Sequence, residues 1–245
     1  MFPGLRVAVV VPAYREERLI AKTIRSMPAW IDRIVVVDDG SDDETASAAE
    51  ETRDPRLIVH RHDENRGVGA AIATGYRLAF ERGADIAVVM AGDAQMDPED
   101  LPRVVAPVAR RRAGYAKGDR LSFPEARQRM PLTRWLGNHV LAWLTRIATG
   151  LPVRDSQCGF TALSRDAAAR VDLAAMWPRY GYPNDLLGAL ARADVPIEEV
   201  TVRPVYADEK SGVSLRDALF VIPGLLVRAA WRRWRRTRRA LAVSS

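Results

Sequence analysis

Three short apolar runs, each ending in a loop of acidic or glycine residues, constrain this chain more than any other feature. Residues 7–11 run into Pro12-Ala13-Tyr14-Arg15-Glu16-Glu17, residues 34–37 into Asp38-Asp39-Gly40-Ser41, and residues 86–90 into Ala91-Gly92-Asp93-Ala94-Gln95. Short uninterrupted runs of this kind read as buried strands. In an open α/β sheet the loops leaving the carboxyl ends of parallel strands line one crevice, so carboxylates placed there converge on a shared ligand. Such a crevice suits a nucleotide and a divalent cation.

The segments between these runs read as helices. Residues 17–26 carry apolar Leu19, Ile20 and Ile24, and Ser41 with Glu44 has the spacing of a capping box that opens the next helix. Residues 57–59 form a short strand, and Gly67-Val68-Gly69 opens a helix through residue 80. Asp97-Pro98-Glu99 reads as a cap, a first-turn proline and an acidic first turn. From residue 121 onward the pattern is more helical, with later strands at residues 160–163 and 197–202. Strands alternating with helices predict an α/β fold around a mainly parallel sheet.

The chain has 245 residues, nearly half of them apolar, enough for one enzyme-sized domain with a substantial core. Its prolines and glycines are spread along the sequence, which leaves no long flexible linker. Cys158 is the one cysteine, which excludes an intramolecular disulfide and a cysteine-based zinc site and is compatible with a reducing compartment. No basic segment followed by a secretory apolar stretch opens the chain, so a cytoplasmic location is expected. Residues 218–227 are its longest apolar stretch, well short of the roughly 20 residues a spanning helix needs. That stretch can lie on a membrane but not cross one.

The net charge of +6 is concentrated at the C-terminus, where Arg228, Arg232, Arg233, Arg235, Arg236, Arg238 and Arg239 surround Trp231 and Trp234. As a helix, this segment puts Val227, Trp231, Trp234 and Leu241 near one face. Indoles flanked by arginines describe an interfacial helix on the anionic inner leaflet. A basic stripe with aromatics also fits a phosphate backbone, but it would leave the nucleotide crevice unexplained, and nucleic acid is not the expected partner. A solvated tail, or packing of this helix against another subunit in a homo-oligomer, stays open.

Each strand-end loop has a chemical use and a plain alternative. Asp38 and Asp39 suit a ribose or a base edge, or else are turn-forming aspartates. Gly67 and Gly69 would let backbone amides at a helix N-terminus approach a pyrophosphate. They do not follow the first strand, so a dinucleotide fingerprint is not supported. Asp93 and Gln95 offer oxygen ligands of the kind Mg²⁺ and Mn²⁺ favour, against the alternative of a surface turn. His60 and His62 point the same way on a strand without a third metal ligand, and read as exposed strand histidines. His139 reads as a packing residue of an apolar helix, and Cys158 as a small buried side chain.

Taken in order, these loops resemble the family 2 glycosyltransferases of the GT-A fold, in particular the branch like dolichyl- and polyprenyl-phosphate sugar synthases. Pro12-Ala13-Tyr14-Arg15-Glu16 is similar to the family's opening nucleotide-binding loop, with Arg15 where asparagine is usual. Asp38-Asp39-Gly40-Ser41 resembles the second loop and Asn65-Arg66-Gly67-Val68-Gly69 the third. Gly118-Asp119-Arg120 resembles an arginine loop, and Asp155-Ser156-Gln157-Cys158-Gly159-Phe160 the segment that closes the active site. Two further places depart from the pattern. Ala91 stands where the first metal-binding aspartate is expected, and Glu209-Lys210-Ser211-Gly212 replaces a late arginine-containing loop.

The resemblance implies a Rossmann-like, mainly parallel mixed sheet flanked by helices, with a catalytic domain over residues 1–214 and a basic amphipathic tail over residues 215–245. It implies an inverting transfer from a nucleoside diphosphate sugar, with UDP and GDP both open, to a polyprenyl phosphate at the cytoplasmic membrane face. Pro12, Ala13, Tyr14, Glu16, Asp38, Asp39, Gly67, Gly69 and Asp93 would bind the donor. Asp93 and Gln95 would hold Mg²⁺ or Mn²⁺, and Lys210 would close over the phosphates. Arg120, Arg134 and Asn138 fall on the acceptor-phosphate side, where guanidinium groups match phosphate geometry. If the acceptor is instead a hydroxyl of a saccharide or other small molecule, Asp185 is the candidate base, or else a helix N-cap. A nucleotidyltransferase of similar fold would need a glycine-rich basic loop after the first strand, which the chain lacks.

Overall fold

The computed structural model describes residues 2–205 and 220–243, with side chains to residue 234. Lys210 and the loop around it lie outside the described residues. Seven strands form one sheet in the order β3-β2-β1-β4-β6-β5-β7. They are β1 (Val7–Ala13), β2 (Arg33–Asp38), β3 (Leu57–Arg61), β4 (Ile86–Val89), β5 (Tyr115–Asp119), β6 (Thr161–Ser164) and β7 (Ile197–Thr201). β1 pairs in parallel with β2 and β4, β2 with β3, and β5 with β7. β6 runs antiparallel to both its neighbours, β4 and β5. The sheet is therefore mixed, parallel across its N-terminal half.

Side-chain alternation along β1 explains why the sheet is covered twice. Val7, Val9 and Val11 join a core with Ile20 and Ile24 of α1 (Ile20–Arg25), Ala49 of α2 (Thr45–Glu50) and Leu101, Val104, Val105 and Val108 of α4 (Leu101–Ala109). Ala8 and Val10 face the other way, onto Ala71, Ile72 and Tyr76 of α3 (Val68–Glu81) and Leu186, Leu187 and Leu190 of α8 (Tyr182–Arg192). Gly75 lets α3 lie against β1, since a Cβ there would come within 2.1 Å of Val10 Cγ1. Short helices α5 (Ala126–Arg129) and α7 (Arg165–Ala168) flank the long α6 (Leu132–Thr149) and β6.

The C-terminal helix α9 (Ile222–Val243) is not a loose tail. Its Ile222, Leu226 and Ala229 pack with Ala148, Leu141 and Leu144 of α6. Arg228 pairs with Asp185 of α8, and Arg233 donates to the Ile147 carbonyl at 3.3 Å. Val227, Trp231 and Trp234 share the outward face, as the sequence predicts; the Leu241 side chain is outside the described set. Among the described residues no helix is long and apolar enough to cross a membrane.

Several expectations are corrected. α1 begins at Ile20 rather than residue 17. The capping box does not form, because the Ser41 hydroxyl bonds Asp38 and accepts the Arg15 amide at 2.9 Å, leaving Glu44 as an N-cap without a side-chain capping bond. The Asp97 cap does form and accepts the Glu99 amide at 2.9 Å. Strand β5 is unforeseen, because Tyr-Ala-Lys-Gly-Asp lacks an apolar run. Its Lys117 is wholly buried and donates to the carbonyls of Asp155 and Cys158. His139 is exposed, with Trp135 edge-on at 4.3 Å, rather than packed in the core.

Behind β5 lies a buried charge cluster. Arg120 forks onto Asp155 through Nε at 2.8 Å and Nη2 at 3.1 Å, and the amides of Gln157 and Cys158 also donate to that carboxylate. Burial by itself would raise the Asp155 carboxyl, but the Arg120 guanidinium and the Lys117 ammonium outweigh it and hold the group down at about 2. Glu199 goes the opposite way, raised mainly by burial. A depressed carboxylate contributes stability that is present above its unfolded value of 3.8 and is lost as pH falls toward 2. Urea unfolding followed from pH 6 downward is therefore predicted to show falling stability between about pH 4 and pH 2. Arg120→Gln should shrink or reverse that fall, because the Asp155 carboxyl then rises toward or above its unfolded value, and should cost about 3 kcal/mol at neutral pH, because it strands a buried charge. An unchanged acid limb in this variant would contradict the pairing.

Candidate active site

The carboxyl ends of β1, β2 and β4 open onto one cavity of about 380 Å³. Its lining includes Pro12, Ala13, Tyr14, Glu16, Asp39, Gly67 and Asp93 from the expected set, together with Asn65, Ala91, Arg179 and Tyr180. That volume lies within the range of small-molecule sites. A larger groove of about 870 Å³ is lined by His60, Arg66, Arg77, Phe80 and Arg165, and takes no residue from the loops that follow β1, β2 and β4. The three acidic or glycine-marked strand-end loops therefore meet at the smaller cavity.

Asp39 organises one wall. Its Oδ1 accepts from the Arg66 amide at 3.0 Å and His62 Nδ1 at 2.7 Å, and its Oδ2 accepts from the Gly67 amide at 2.7 Å. His62 is buried and touches Thr74 Oγ1 of α3 through Nε2 at 3.0 Å. This corrects the reading of an exposed strand histidine: His62 lies just beyond β3 and is the ring that fixes Asp39. Nothing local in the sequence gives this away, because the partners are 23 residues apart.

Asp38 sits beneath the cavity rather than in it. It is wholly buried, its Oδ1 accepting from the Ser41 amide at 3.0 Å and its Oδ2 lying 3.4 Å from Arg61 Nε. It shapes the second loop and is not among the residues that line the cavity. Gly69 is likewise a packing residue, since a Cβ there would lie 2.1 Å from the Trp177 carbonyl. Gly67, at φ +101°, lines the cavity and also makes room for the Pro178 carbonyl, which the Ala70 amide bonds at 3.0 Å. The two glycines thus seat the 177–180 segment on the start of α3. That segment brings in Arg179 and Tyr180, which no sequence motif marks.

In the first loop Arg15 adopts φ +59°, a left-handed conformation that asparagine takes more readily than arginine. Its guanidinium forks onto Asp42 at 2.7 Å and lies 5.2 Å from the Tyr14 ring centre. Tyr14 remains 40% exposed at the cavity mouth, an aromatic face for a planar ligand. At the end of β4 the Gln95 amide donates to Asp93 Oδ1 at 3.0 Å across Ala94, which is left-handed at φ +56°. Among the described residues no cluster of three or more metal-ligating side chains exists, and Ala91 lines the cavity in place of a carboxylate. One carboxylate with one amide oxygen still suits Mg²⁺ or Mn²⁺, which take one or two protein carboxylates and complete their shells with substrate phosphate and water.

The residues expected on the acceptor side lie on other elements. Arg120 is held by Asp155, while Arg134 and Asn138 are half-buried on α6. Asp185 is inside the first turn of α8, whose N-cap is Gly181, so it is not a cap. Its Oδ2 accepts the Trp177 amide at 2.9 Å and its Oδ1 pairs with Arg228. Cys158 is buried, and burial pushes its thiol up, away from nucleophile chemistry.

Comparison with known proteins agrees with this geometry. The model of glycosyl transferase family 2 matches residues 8–171. A Methanococcus voltae protein, UDP-N-acetylglucosamine--dolichyl-phosphate N-acetylglucosaminyltransferase, is 31% identical over 217 residues, covering 82% of this chain and 86% of its own. An undecaprenyl-phosphate mannosyltransferase from Micrococcus luteus is 28% identical over 243 residues, covering 93% and 96%. A solved structure of glucosyl-3-phosphoglycerate synthase from Mycobacterium tuberculosis, in complex with Mn²⁺, UDP-glucose and glycerol 3-phosphate, matches with a TM-score of 0.69 at 22% identity, covering 93% of this chain and 80% of that one. That likeness is one of fold, the GT-A fold. With the family's loops gathered around one cavity and its model spanning most of the sequence, the chain belongs to glycosyl transferase family 2.

Proposed function

We propose that this transferase moves a sugar from a nucleoside diphosphate sugar to a polyprenyl phosphate, with inversion, at the inner membrane face. The observation that carries the reading is the shared cavity of Tyr14, Asp39 and Asp93 at three parallel strand ends. Tyr14 and the Asp39 wall take the base and ribose, while Asp93, Gly67 and Arg179 lie toward the diphosphate. An acceptor phosphate oxygen forms the new bond to the sugar C1 as the bond from C1 to the diphosphate breaks, and the nucleoside diphosphate leaves with the electron pair. Mg²⁺ or Mn²⁺ held by Asp93 and Gln95 would supply charge neutralisation for that leaving group.

Arg120, Arg134 and Asn138 orient the acceptor phosphate, and Lys210 adds a further cation. An anionic nucleophile needs no base. The engagement of both Asp185 oxygens favours this acceptor over a hydroxyl, which would require a carboxylate ready to receive a proton. The names of the Methanococcus voltae and Micrococcus luteus relatives point the same way.

Incubation of the protein with Mn²⁺, UDP- and GDP-sugars and a short polyprenyl phosphate is expected to yield a lipid-linked sugar by mass spectrometry, lost when Asp93 is replaced by Asn. Transfer to a saccharide hydroxyl with no lipid product would overturn the acceptor assignment. His62→Ala is predicted to weaken nucleoside diphosphate binding about tenfold by removing one donor from Asp39, and to change kcat at saturating donor little. His62→Asn, which keeps a donor, should recover part of the loss. Calorimetric titration showing equal affinity in the alanine variant would contradict the role given to His62.

A further inference from the structure

Helix α6 turns its most apolar stripe outward. Leu132, Leu136, Val140, Trp143 and Ile147 are each at least half exposed, and at 100° per residue they fall within an arc of about 80°. A soluble helix of this length normally buries such a stripe and exposes its polar face. Here the inward face carries small and polar residues, with Ala142, Thr145, Ala148 and Thr149 buried. Phe220, Val227, Trp231 and Trp234 add a second exposed apolar row on the neighbouring C-terminal segment, and α6 and α9 pack directly on each other. Five large apolar side chains exposed along one stripe of a single helix mark an interaction surface rather than ordinary scatter.

Charge identifies the occupant. Residues 126–154 contain Arg127, Arg129, Arg134, Arg146 and Arg154 and no acidic residue, and residues 218–245 contain seven arginines and again no acidic residue. A second copy of the same surface would bring like charges together, whereas an anionic lipid leaflet meets both the apolar stripe and the arginines. We propose that α6 and α9 form one lipid-docking platform in which the α6 stripe enters the acyl boundary of an anionic leaflet and the α9 arginines engage the headgroups. The tail is then one half of the contact, not the whole of it.

The arrangement also orients the enzyme. Arg134 and Asn138 lie about 160–200° around α6 from the centre of the stripe, on the side turned to the catalytic domain. On that same side Asn184 Nδ2 donates to Thr145 Oγ1 at 2.8 Å, and Gln157 Nε2 donates to Asn184 Oδ1 at 2.7 Å. A lipid phosphate rising beside the submerged helix meets the residues assigned to the acceptor. This last point rests on the proposed acceptor; the lipid contact does not.

The test is partition of the full-length protein onto phosphatidylcholine vesicles with and without phosphatidylglycerol, compared with the Leu136→Gln/Val140→Gln/Trp143→Gln variant. All three positions are exposed, so the variant should keep the wild-type melting temperature. The expected result is binding that needs phosphatidylglycerol and falls about tenfold or more in the variant, with wild-type tryptophan emission quenched by brominated acyl chains. Equal partition of variant and wild type would overturn the proposal. So would light scattering that shows a wild-type dimer, dissolved by the same substitutions, together with no vesicle binding. Because no sugar transfer is measured, failure here leaves the catalytic reading untouched, and a failed transfer assay leaves the platform standing.

Discussion

The Asp39 carboxylate receives three N–H donors from three directions, and the donor side of the molecule is assembled on it. The Arg66 and Gly67 amides fix the third loop against the end of β2, and His62 closes the cage from the end of β3. With Gly67 held, α3 starts where its neighbouring Gly69 can receive the Trp177 and Pro178 carbonyls, and this places Arg179 and Tyr180 in the cavity. A buried carboxylate left with fewer donors would be strongly destabilised. These three donors are what allow an acidic side chain to stand buried in the cavity wall.

A second chain of polar contacts joins the Arg120–Asp155 pair to α6. Arg120 and Asp155 form a buried pair, the Gln157 amide bonds Asp155, the Gln157 side chain bonds Asn184, and Asn184 bonds Thr145 of α6. Each link is buried or half-buried and paired, so the chain specifies how α6 sits on the domain instead of contributing bulk stability. Arg228 and Asp185 do the same for α9. The residues first singled out for acceptor chemistry therefore also position the helices that would carry the enzyme to its substrate.

Much of this was legible in the sequence where information is local. The valine-rich strands and the acidic loops after them are short-range patterns, and they predicted the cavity lining through Tyr14, Asp39, Gly67 and Asp93. What escaped depends on distant partners. Lys117 and Gly118 disguise β5, whose strand character comes from pairing with β6 and β7. His62 looked exposed because Asp39 reaches it only through the β2 and β3 pairing. Asp38 and Asp39 are adjacent and chemically identical, and backbone direction alone sends one beneath the loop and the other into the cavity. The outward stripe of α6 was hidden for a further reason. Leucines 141 and 144 line its inner side, so the helix reads as apolar nearly all round until its packing against α9 is known.

The central claim is that a nucleoside diphosphate occupies the cavity at the ends of β1, β2 and β4. A crystal structure of the protein soaked with UDP or GDP and Mn²⁺ tests it most directly. The account predicts density for the base beside Tyr14 and the Asp39 wall, with an anomalous Mn²⁺ peak between the diphosphate and Asp93. Nucleotide bound in the groove lined by His60 and Arg165, or metal located away from Asp93, would contradict it.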